Sequence, residues 1–216
     1  MIISFLSQKG GVSKSALART TAVGFINGGW RVHVADLDEK QQTTMKWCKR
    51  REDNGLNSVD CAVYRRAASA LKVSHQHDLD LVIIDGRPAA EHSYLEISKG
   101  SDLVVLTTGA TVDDLEPSLE LGRELVKGGL DKNHLVFSIN KAPSEAEAIK
   151  AIATITEWGF KSLKSIIYFQ NAYGQALDKG RALTETPYSS LNEKAQEMVD
   201  EIDELINSSK HDIINS

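Results

Sequence analysis

The sequence predicts an α/β fold in which a mostly parallel sheet carries helices on both faces. Short apolar runs alternate with longer segments of helical periodicity, which is the pattern of consecutive strand–helix units. Two runs, Leu81–Ile84 and Leu103–Leu106, are apolar at every position, as expected of strands covered on both faces. Glycine pairs at 28–29 and 128–129 follow two helical segments, where a glycine commonly ends a helix.

The predicted strands and helices follow one another along the whole chain. The strands are Ile2–Leu6, Arg31–Ala35, Leu81–Ile84, Leu103–Thr107, Leu135–Ile139 and Ser165–Tyr168. The helices are Ser15–Asn27, Thr43–Glu52, Ala67–Ser74, Leu115–Lys127, Glu145–Glu157 and Ser190–Ile206. No repeat or linker divides the sequence, so we predict a single domain over residues 1–206 and a flexible polar tail over 207–216.

Composition and charge exclude several classes of protein. A chain of 216 residues, 41% of them hydrophobic, is long enough to bury one substantial core. The net charge of −5 argues against a protein that coats DNA through its overall charge, so any contact with nucleic acid needs a local basic patch. Cys48 and Cys61 are too few for a disulfide framework and lack the spacing of metal ligands. No apolar stretch approaches the roughly 20 residues that span a bilayer, so we expect a cytoplasmic protein without a membrane partner.

A glycine-rich segment between the first strand and the first helix is the strongest chemical signal. Residues 8–15 read Gln-Lys-Gly-Gly-Val-Ser-Lys-Ser. Glycines let the backbone wrap around phosphates, and a helix N-terminus supplies free N–H groups and a positive dipole end. Lys14 would contact the β- and γ-phosphates, and the Ser15 hydroxyl would ligate Mg²⁺. Asn140 and the loop 141–144 follow another strand and could face the same ligand. The predicted nucleotide-binding residues are Gly10, Gly11, Val12, Ser13, Lys14, Ser15 and Asn140.

The pattern Lys-Gly-Gly-Val-x-Lys-Ser resembles the deviant Walker A motif of the ParA/MinD family of ATPases. The mark of that family is an extra lysine early in the loop, here Lys9. The resemblance implies a P-loop NTPase-like fold, ATP and Mg²⁺ as cofactors, and an ATP-dependent homodimer in which Lys9 reaches the phosphates of the partner. The family usually has glycine where this chain has Ser13. If the backbone there needs a positive φ, serine costs on the order of 1 kcal/mol, and its side chain could slow hydrolysis.

Acidic residues follow two of the predicted strands. Asp36 and Asp38 lie in a segment similar to the family's Asp-x-Asp-Pro-Gln switch, with Glu39 in place of the proline. By this resemblance Asp36 helps to organise the Mg²⁺ shell and Asp38 orients the attacking water. Asp85 ends an apolar strand as a Walker B aspartate does, and would hold Mg²⁺ through a water. The predicted catalytic residues are Lys9, Lys14 and Asp38, and the predicted metal site comprises Ser15, Asp36 and Asp85.

The resemblance also implies a biological role. The last predicted helix is acidic, so anionic lipid would repel it and a MinD-like membrane role is not expected. ParA-like members bind DNA without sequence preference, and phosphate contacts need only suitably spaced positive charge. We therefore predict a ParA-like ATPase that partitions or positions a plasmid or other DNA cargo, is stimulated by a ParB-like or adaptor partner, and associates with the nucleoid when ATP is bound. The candidate DNA contacts are Lys46, Lys49, Arg50, Arg51, Arg65, Arg66, Lys161, Lys164, Lys179 and Arg181.

Two alternatives stay open at the level of the sequence. Ser13, Glu39 and the pair Gly86-Arg87 depart from the family motifs, which leaves room for a nucleotide-dependent binding switch with little turnover. The Asp-x-Asp-Glu segment is also similar to that of VirC1, which would make the chain a recruiter in conjugative DNA transfer.

Overall fold

The computed structural model describes residues 1–76, 78–87 and 91–214. Strands and helices alternate along these ranges, as the sequence predicts. The strands are β1 (Ile2–Leu6), β2 (Val32–Asp36), β3 (Asp60–Val63), β4 (Leu81–Asp85), β5 (Leu103–Thr108), β6 (Leu135–Ala142), β7 (Lys161–Ser162) and β8 (Ile167–Tyr168). The α-helices are α1 (Lys14–Asn27), α2 (Thr43–Asp53), α3 (Ala67–Gln76), α4 (Glu91–Lys99), α5 (Val112–Lys127), α6 (Glu145–Glu157), α7 (Asn171–Asp178) and α8 (Ser189–Ile214). Two short 3₁₀ helices cover Lys132–His134 and Leu183–Glu185.

The strands form a parallel sheet in the order β3-β2-β4-β1-β5-β6-β7, and β8 pairs with β6. Every strand pair in the described ranges is parallel. The register places Phe5 of β1 and Asp36 of β2 on either side of Asp85 in β4. The loops that follow these three strands therefore meet at one edge of the sheet. This architecture confirms the predicted fold class.

Side chains along the central strands alternate between two hydrophobic cores. In β1, Ile3 and Phe5 belong to the core covered by α1, α2, α7 and α8. Ile2 and Leu6 belong to the core on the opposite face, which is covered by α3, α4, α5 and α6. Because both faces are covered, apolar residues are favoured at every position, and this explains the continuous apolar runs in the sequence.

Two strands and two α-helices were not predicted from the sequence. β3 and β7 are short edge strands whose residues are half-buried or exposed, so they lack an apolar run. α4 reads Glu-His-Ser-Tyr-Leu-Glu-Ile-Ser-Lys, and α7 contains Gly174 in its interior, which lowers its helix propensity. In each case the packing of neighbouring elements decides the structure, and a weak local pattern does not reveal it.

The last helix is longer than predicted. α8 runs to Ile214, whereas the sequence predicted an end at Ile206 and a flexible tail over 207–216. Residues 207–214 contain neither glycine nor proline, so nothing in the sequence terminates the helix earlier. Positions 215–216 lie outside the described residues. Within the described ranges, neither α8 nor any other helix combines the length and hydropathy that a bilayer crossing requires.

Candidate functional site

A cavity of about 490 Å³ opens at the carboxyl ends of the central strands. Its wall includes the whole predicted phosphate loop from Lys9 to Ser15, together with Asp38 and part of the segment between β8 and α7. Asp36, Asp85 and Asn140 do not line this wall, and each is at most 2% exposed. The structure thus brings most of the predicted site residues to the cavity and buries the other three.

The phosphate loop has the backbone geometry of an anion-binding turn. Gly11 has φ +85°, and Ser13 lies in the left-handed region with φ 69° and ψ 10°. A Cβ added at Gly10 or Gly11 would meet no atom within 4 Å, so the loop borders open space. Ser13 makes no side-chain cap at the start of α1, and the first turn of α1 contains no acidic residue. The positive end of this helix is therefore available to an anion.

Asp85 is the meeting point of three side chains. Its Oδ1 accepts hydrogen bonds from Lys14 Nζ at 2.6 Å and from Ser15 Oγ at 3.1 Å. Its Oδ2 accepts a hydrogen bond from Thr44 Oγ1 at 2.6 Å. Burial raises the pKa of Asp85, but the charge of Lys14 and the hydrogen bonds from Lys14 and Thr44 outweigh burial, so the pKa lies below its ordinary value. Asp85 is therefore a carboxylate, and with the Ser15 hydroxyl it offers the oxygen ligands that Mg²⁺ prefers.

Asp36 holds the loop that leads into α2. Its Oδ1 accepts a hydrogen bond from Asp38 N at 2.9 Å, and its Oδ2 accepts from Thr44 N at 3.0 Å and from Met45 N at 3.2 Å. Burial and the neighbouring charge of Asp85 raise the pKa of Asp36, and these backbone hydrogen bonds oppose that rise. Oδ1 of Asp36 thus holds the loop and Oδ2 holds the first turn of α2, and the part of Asp36 in the Mg²⁺ shell stays a prediction. Asp38 is half-buried at the cavity wall, and its Oδ1 accepts a hydrogen bond from Gln41 N.

Two further lysines line the cavity at the phosphate loop, Lys9 within the loop and Lys141 beside it. Lys9 Nζ lies 3.2 Å from Asp114 Oδ1 at the start of α5, and the Lys9 side chain is 40% exposed. Lys141 Nζ donates a hydrogen bond of 2.7 Å to the carbonyl oxygen of Gly11. The sequence predicts that the loop after β6 faces a ligand, but its pattern does not single out Lys141. The only signal was its place directly after Asn140 at the end of that strand.

The residues present fit a magnesium nucleotide. The buried ammonium of Lys14 and the open space at the glycines suit phosphates, and the hydroxyl and carboxylate near them suit Mg²⁺. In the described part of the chain, no three carboxylate, imidazole or thiol groups cluster into a metal site made by protein alone. Mg²⁺ commonly takes one or two protein ligands and completes its shell with phosphates and waters. Asn140 is fully buried and does not line the cavity, and its Oδ1 has no hydrogen-bond partner in the described residues, so its contact with a nucleotide stays a prediction.

One predicted DNA contact is wrong. Arg51 is 2% exposed, and its guanidinium forms a two-pronged ion pair with Glu185, with NH1–Oε2 2.6 Å and NH2–Oε1 2.9 Å. The same guanidinium lies over the ring of Trp47. Burial of Glu185 raises its pKa, but the hydrogen bonds from Arg51 and from Ala182 N outweigh burial and hold the pKa below its ordinary value. Arg51 therefore holds α2 against the segment around Glu185 and does not face solvent.

Comparison with known proteins identifies the family. A family model described as ATPase MipZ matches residues 1–115, which is more than half of the chain. The chain belongs to the MipZ family of ATPases. The match covers the phosphate loop, Asp36, Asp38 and Asp85, and it confirms the resemblance to ATPases of the ParA/MinD type.

Solved structures with the same fold come from the same group of ATPases. MinD of Pyrococcus horikoshii OT3, in complex with Mg-ADP, has 17% identity and a TM-score of 0.73 over 96% of this chain and 98% of that one. MinD of Aquifex aeolicus in a MinC:MinD complex has 12% identity and a TM-score of 0.69 over 92% and 95%. A ParA family ATPase of Chlorobium tepidum TLS has 16% identity and a TM-score of 0.68 over 92% and 98%. At these identities the likeness shows the fold alone. Comparison with curated proteins gave no match.

The left-handed conformation of Ser13 generates a prediction about stability. Glycine adopts φ 69° without the steric penalty that serine incurs, so Ser13→Gly should raise the free energy of unfolding by up to about 1 kcal/mol. Chemical denaturation of the nucleotide-free protein measures the change. Ser13→Ala is the matched control, because alanine also has a Cβ and should give no gain. An equal gain from both variants would contradict the backbone explanation.

Proposed function

We propose that the chain is a Mg²⁺-dependent ATPase whose nucleotide-bound dimer binds DNA without sequence preference and positions a DNA cargo. One observation carries the proposal. Lys14 and Ser15, the last two residues of the phosphate loop, both contact the buried Asp85 carboxylate, at 2.6 Å and 3.1 Å. This is the set of groups that a P-loop ATPase uses to hold phosphates and Mg²⁺ together.

Each residue of the site has a distinct task in this proposal. Bound Mg-ATP supplies the phosphoanhydride bond and a divalent charge that stabilises phosphoryl transfer. The Lys14 ammonium would neutralise phosphate charge, while Ser15 and Asp85 would hold the metal. Asp38 lies at the cavity wall and would orient the attacking water. A ligand of the same class occupies a protein of this fold, because the Pyrococcus horikoshii MinD structure contains Mg-ADP.

The position of Lys9 suits a role between two subunits. Its side chain is 40% exposed, and its ion pair is with Asp114, which is 28% exposed. Such exposed pairs contribute only about 0–1 kcal/mol, so Lys9 can leave Asp114 at little cost. We propose that it then contacts the phosphates bound to a second copy of the chain, and that the homodimer forms only with ATP.

Ser13 favours a second candidate, a nucleotide-dependent switch with little turnover. Its left-handed backbone places a residue other than glycine at the most constrained point of the loop. Binding tolerates this arrangement, because the loop already has the geometry of an anion site. Hydrolysis is more sensitive, since a small displacement of the phosphates misplaces them relative to Asp38. Phosphate release that stays at background with partner and DNA present would favour this candidate.

The proposed DNA contacts draw support from residues that are distant in sequence and close in the fold. A Cβ added at Gly180 would lie 2.4 Å from Arg51 N, so the chain around Gly180 packs directly on the end of α2. Trp47 Nε1 also donates a hydrogen bond of 3.1 Å to the carbonyl oxygen of Arg181. These contacts bring two predicted basic groups into one region, which we call the basic patch. Its members are Lys46, Lys49, Arg50, Lys179 and Arg181, of which Arg50 is half-buried and the others are exposed.

The basic patch reconciles DNA binding with an acidic chain. The net charge of −5 excludes binding through overall charge, but phosphates respond to local charge within about 10 Å at ordinary salt. A dimer would present the patch twice. We propose that a ParB-like or adaptor protein carried by a plasmid or other DNA element stimulates hydrolysis and releases the dimer from the nucleoid. The Aquifex aeolicus MinD structure, which contains MinC, is an example of this fold bound to a second protein.

Two lysine variants separate nucleotide binding from dimerisation. Lys14→Ala should abolish binding of ATP, because it removes the buried cation of the phosphate loop. Lys9→Ala should bind ATP nearly normally but fail to dimerise. Binding of a fluorescent ATP analogue and light scattering after gel filtration measure the two properties. Normal ATP binding by Lys14→Ala would disprove the assignment of the loop, and an ATP-dependent dimer of Lys9→Ala would disprove the role of Lys9.

Charge reversal tests the basic patch. The double variant Lys49→Glu/Arg181→Glu should weaken binding to random duplex DNA by roughly tenfold or more. It should also reduce, by about 2, the steepness with which the logarithm of the DNA-binding constant falls with the logarithm of the salt concentration. The control is Lys72→Glu/Lys150→Glu, which makes the same charge change at exposed sites on α3 and α6, across the sheet. Fluorescence anisotropy at several salt concentrations measures both quantities. Equal losses in the two double variants would mean that overall charge, not the patch, governs binding.

A further inference from the structure

A buried arginine beside the metal site has no role in the proposed chemistry. Arg19 lies on α1, one helical turn beyond Ser15, and is 4% exposed. Its Nε donates a hydrogen bond of 3.0 Å to Thr44 Oγ1, and its second terminal nitrogen has no partner in the described residues. Burial lowers the pKa of the Arg19 guanidinium, although the charges of Asp85 and Asp36 oppose this effect. Burying a guanidinium that has an unpaired hydrogen-bond donor costs free energy, so the position of Arg19 needs an explanation.

Arg19 belongs to a continuous chain of contacts that starts at the metal site. Thr44 Oγ1 accepts a hydrogen bond from Arg19 and donates its single proton to Asp85 Oδ2 at 2.6 Å. The guanidinium of Arg19 lies over the ring of Trp47, with 5.6 Å from Cζ to the ring centroid. Asp85, Thr44, Arg19 and Trp47 thus form a connected series, which we call the α2 relay. All four side chains are buried, so none exchanges its partner with solvent.

The α2 relay connects Asp85 to the helix that carries three of the five residues of the basic patch. Thr44 and Trp47 lie on the buried face of α2, while Lys46 and Lys49 lie on its exposed face. A serine or threonine hydroxyl has one proton, so Thr44 can serve both neighbours only in one orientation. A change in the hydrogen bonds of Asp85 would therefore alter the hydrogen bond that Thr44 donates, and with it the packing of α2 against α1.

We propose that Arg19 and Thr44 are positioning residues that transmit Mg²⁺ loading at Asp85 to α2 and thereby adjust the presentation of the basic patch. The inference rests on the proposed Mg-nucleotide function. It adds that DNA affinity responds to the metal site within one subunit, besides any effect of dimerisation. The fluorescence of Trp47 should report changes in the relay, because the guanidinium groups of Arg19 and Arg51 both lie over its ring.

Tryptophan fluorescence tests the proposal. The chain has three tryptophans, and Trp30→Phe/Trp158→Phe leaves Trp47 as the only one. ADP is added first and Mg²⁺ second, and the Trp47 emission is followed during the Mg²⁺ titration. Binding of a fluorescent ADP analogue is measured in parallel, so that occupancy is known for every variant.

Thr44→Val keeps the shape of the side chain and removes the hydroxyl. We expect it to bind the ADP analogue within about threefold of the parent while its Mg²⁺-dependent change in Trp47 emission falls by about fivefold or more. Thr44→Ser restores the hydroxyl and should restore the response. Arg19→Met breaks the same connection. The double variant Arg19→Met/Thr44→Val should therefore reduce the Mg²⁺-dependent change in Trp47 emission no further than either single variant does. The matched control is Thr21→Val, since Thr21 is buried on α1 and its hydroxyl has no partner in the described residues.

The results of these experiments separate a failure of the α2 relay from a failure of the proposed Mg-nucleotide function. Loss of the response in Thr44→Val and Arg19→Met, with the response intact in Thr21→Val, supports the relay. An unchanged response in Thr44→Val, or an equal loss in Thr21→Val, overturns the relay and leaves the ATPase proposal standing. A parent protein that binds the ADP analogue but shows no Mg²⁺-dependent change in Trp47 also overturns the relay. A parent that binds no nucleotide overturns both.

Discussion

The buried ion pair between Lys14 and Asp85 is the interaction around which the rest of the structure is arranged. Two buried opposite charges are tolerated only when each is held by its partner and by further hydrogen bonds. The parallel register of β1 and β4 brings the phosphate loop over Asp85, and Ser15 and Thr44 donate further hydrogen bonds to its carboxylate. The same pair explains how the site works, because a cation that neutralises Asp85 in the free protein is also the cation that phosphates require.

The parts of the site that the sequence revealed are those encoded locally. A glycine loop between a strand and a helix, and aspartates at the ends of apolar strands, can be recognised because their spacing reflects one strand and its loop. Thr44 and Arg19 could not be recognised, since their roles depend on how α2 packs against α1. Arg51 was misjudged for the same reason. In Lys-Arg-Arg-Glu-Asp it resembles a solvated helix face, and only Glu185, distant in the sequence, shows that it is buried.

The fold also explains how an acidic protein can hold a basic surface. The acidic residues of α8 contribute much of the negative charge, whereas the basic patch lies at the end of α2 beside the segment that follows α7. The two parts of the patch are far apart in the sequence and meet only in the folded chain, where their contacts include the backbone of Gly180 and the indole of Trp47. Helix α2 thus meets the proposed metal site with its first turn and carries exposed lysines on its outer face, so the proposed nucleotide and DNA sites share one structural element.

We propose that Mg-ATP changes both the assembly state of this chain and its affinity for DNA. Sedimentation velocity of the unmodified protein, with and without ATP and Mg²⁺ and with and without random duplex DNA, measures both properties in one experiment. We expect a monomer without nucleotide, a dimer with Mg-ATP, and co-sedimentation of that dimer with DNA that weakens as salt is raised. A protein that stays monomeric and binds no DNA under all of these conditions would disprove the proposal.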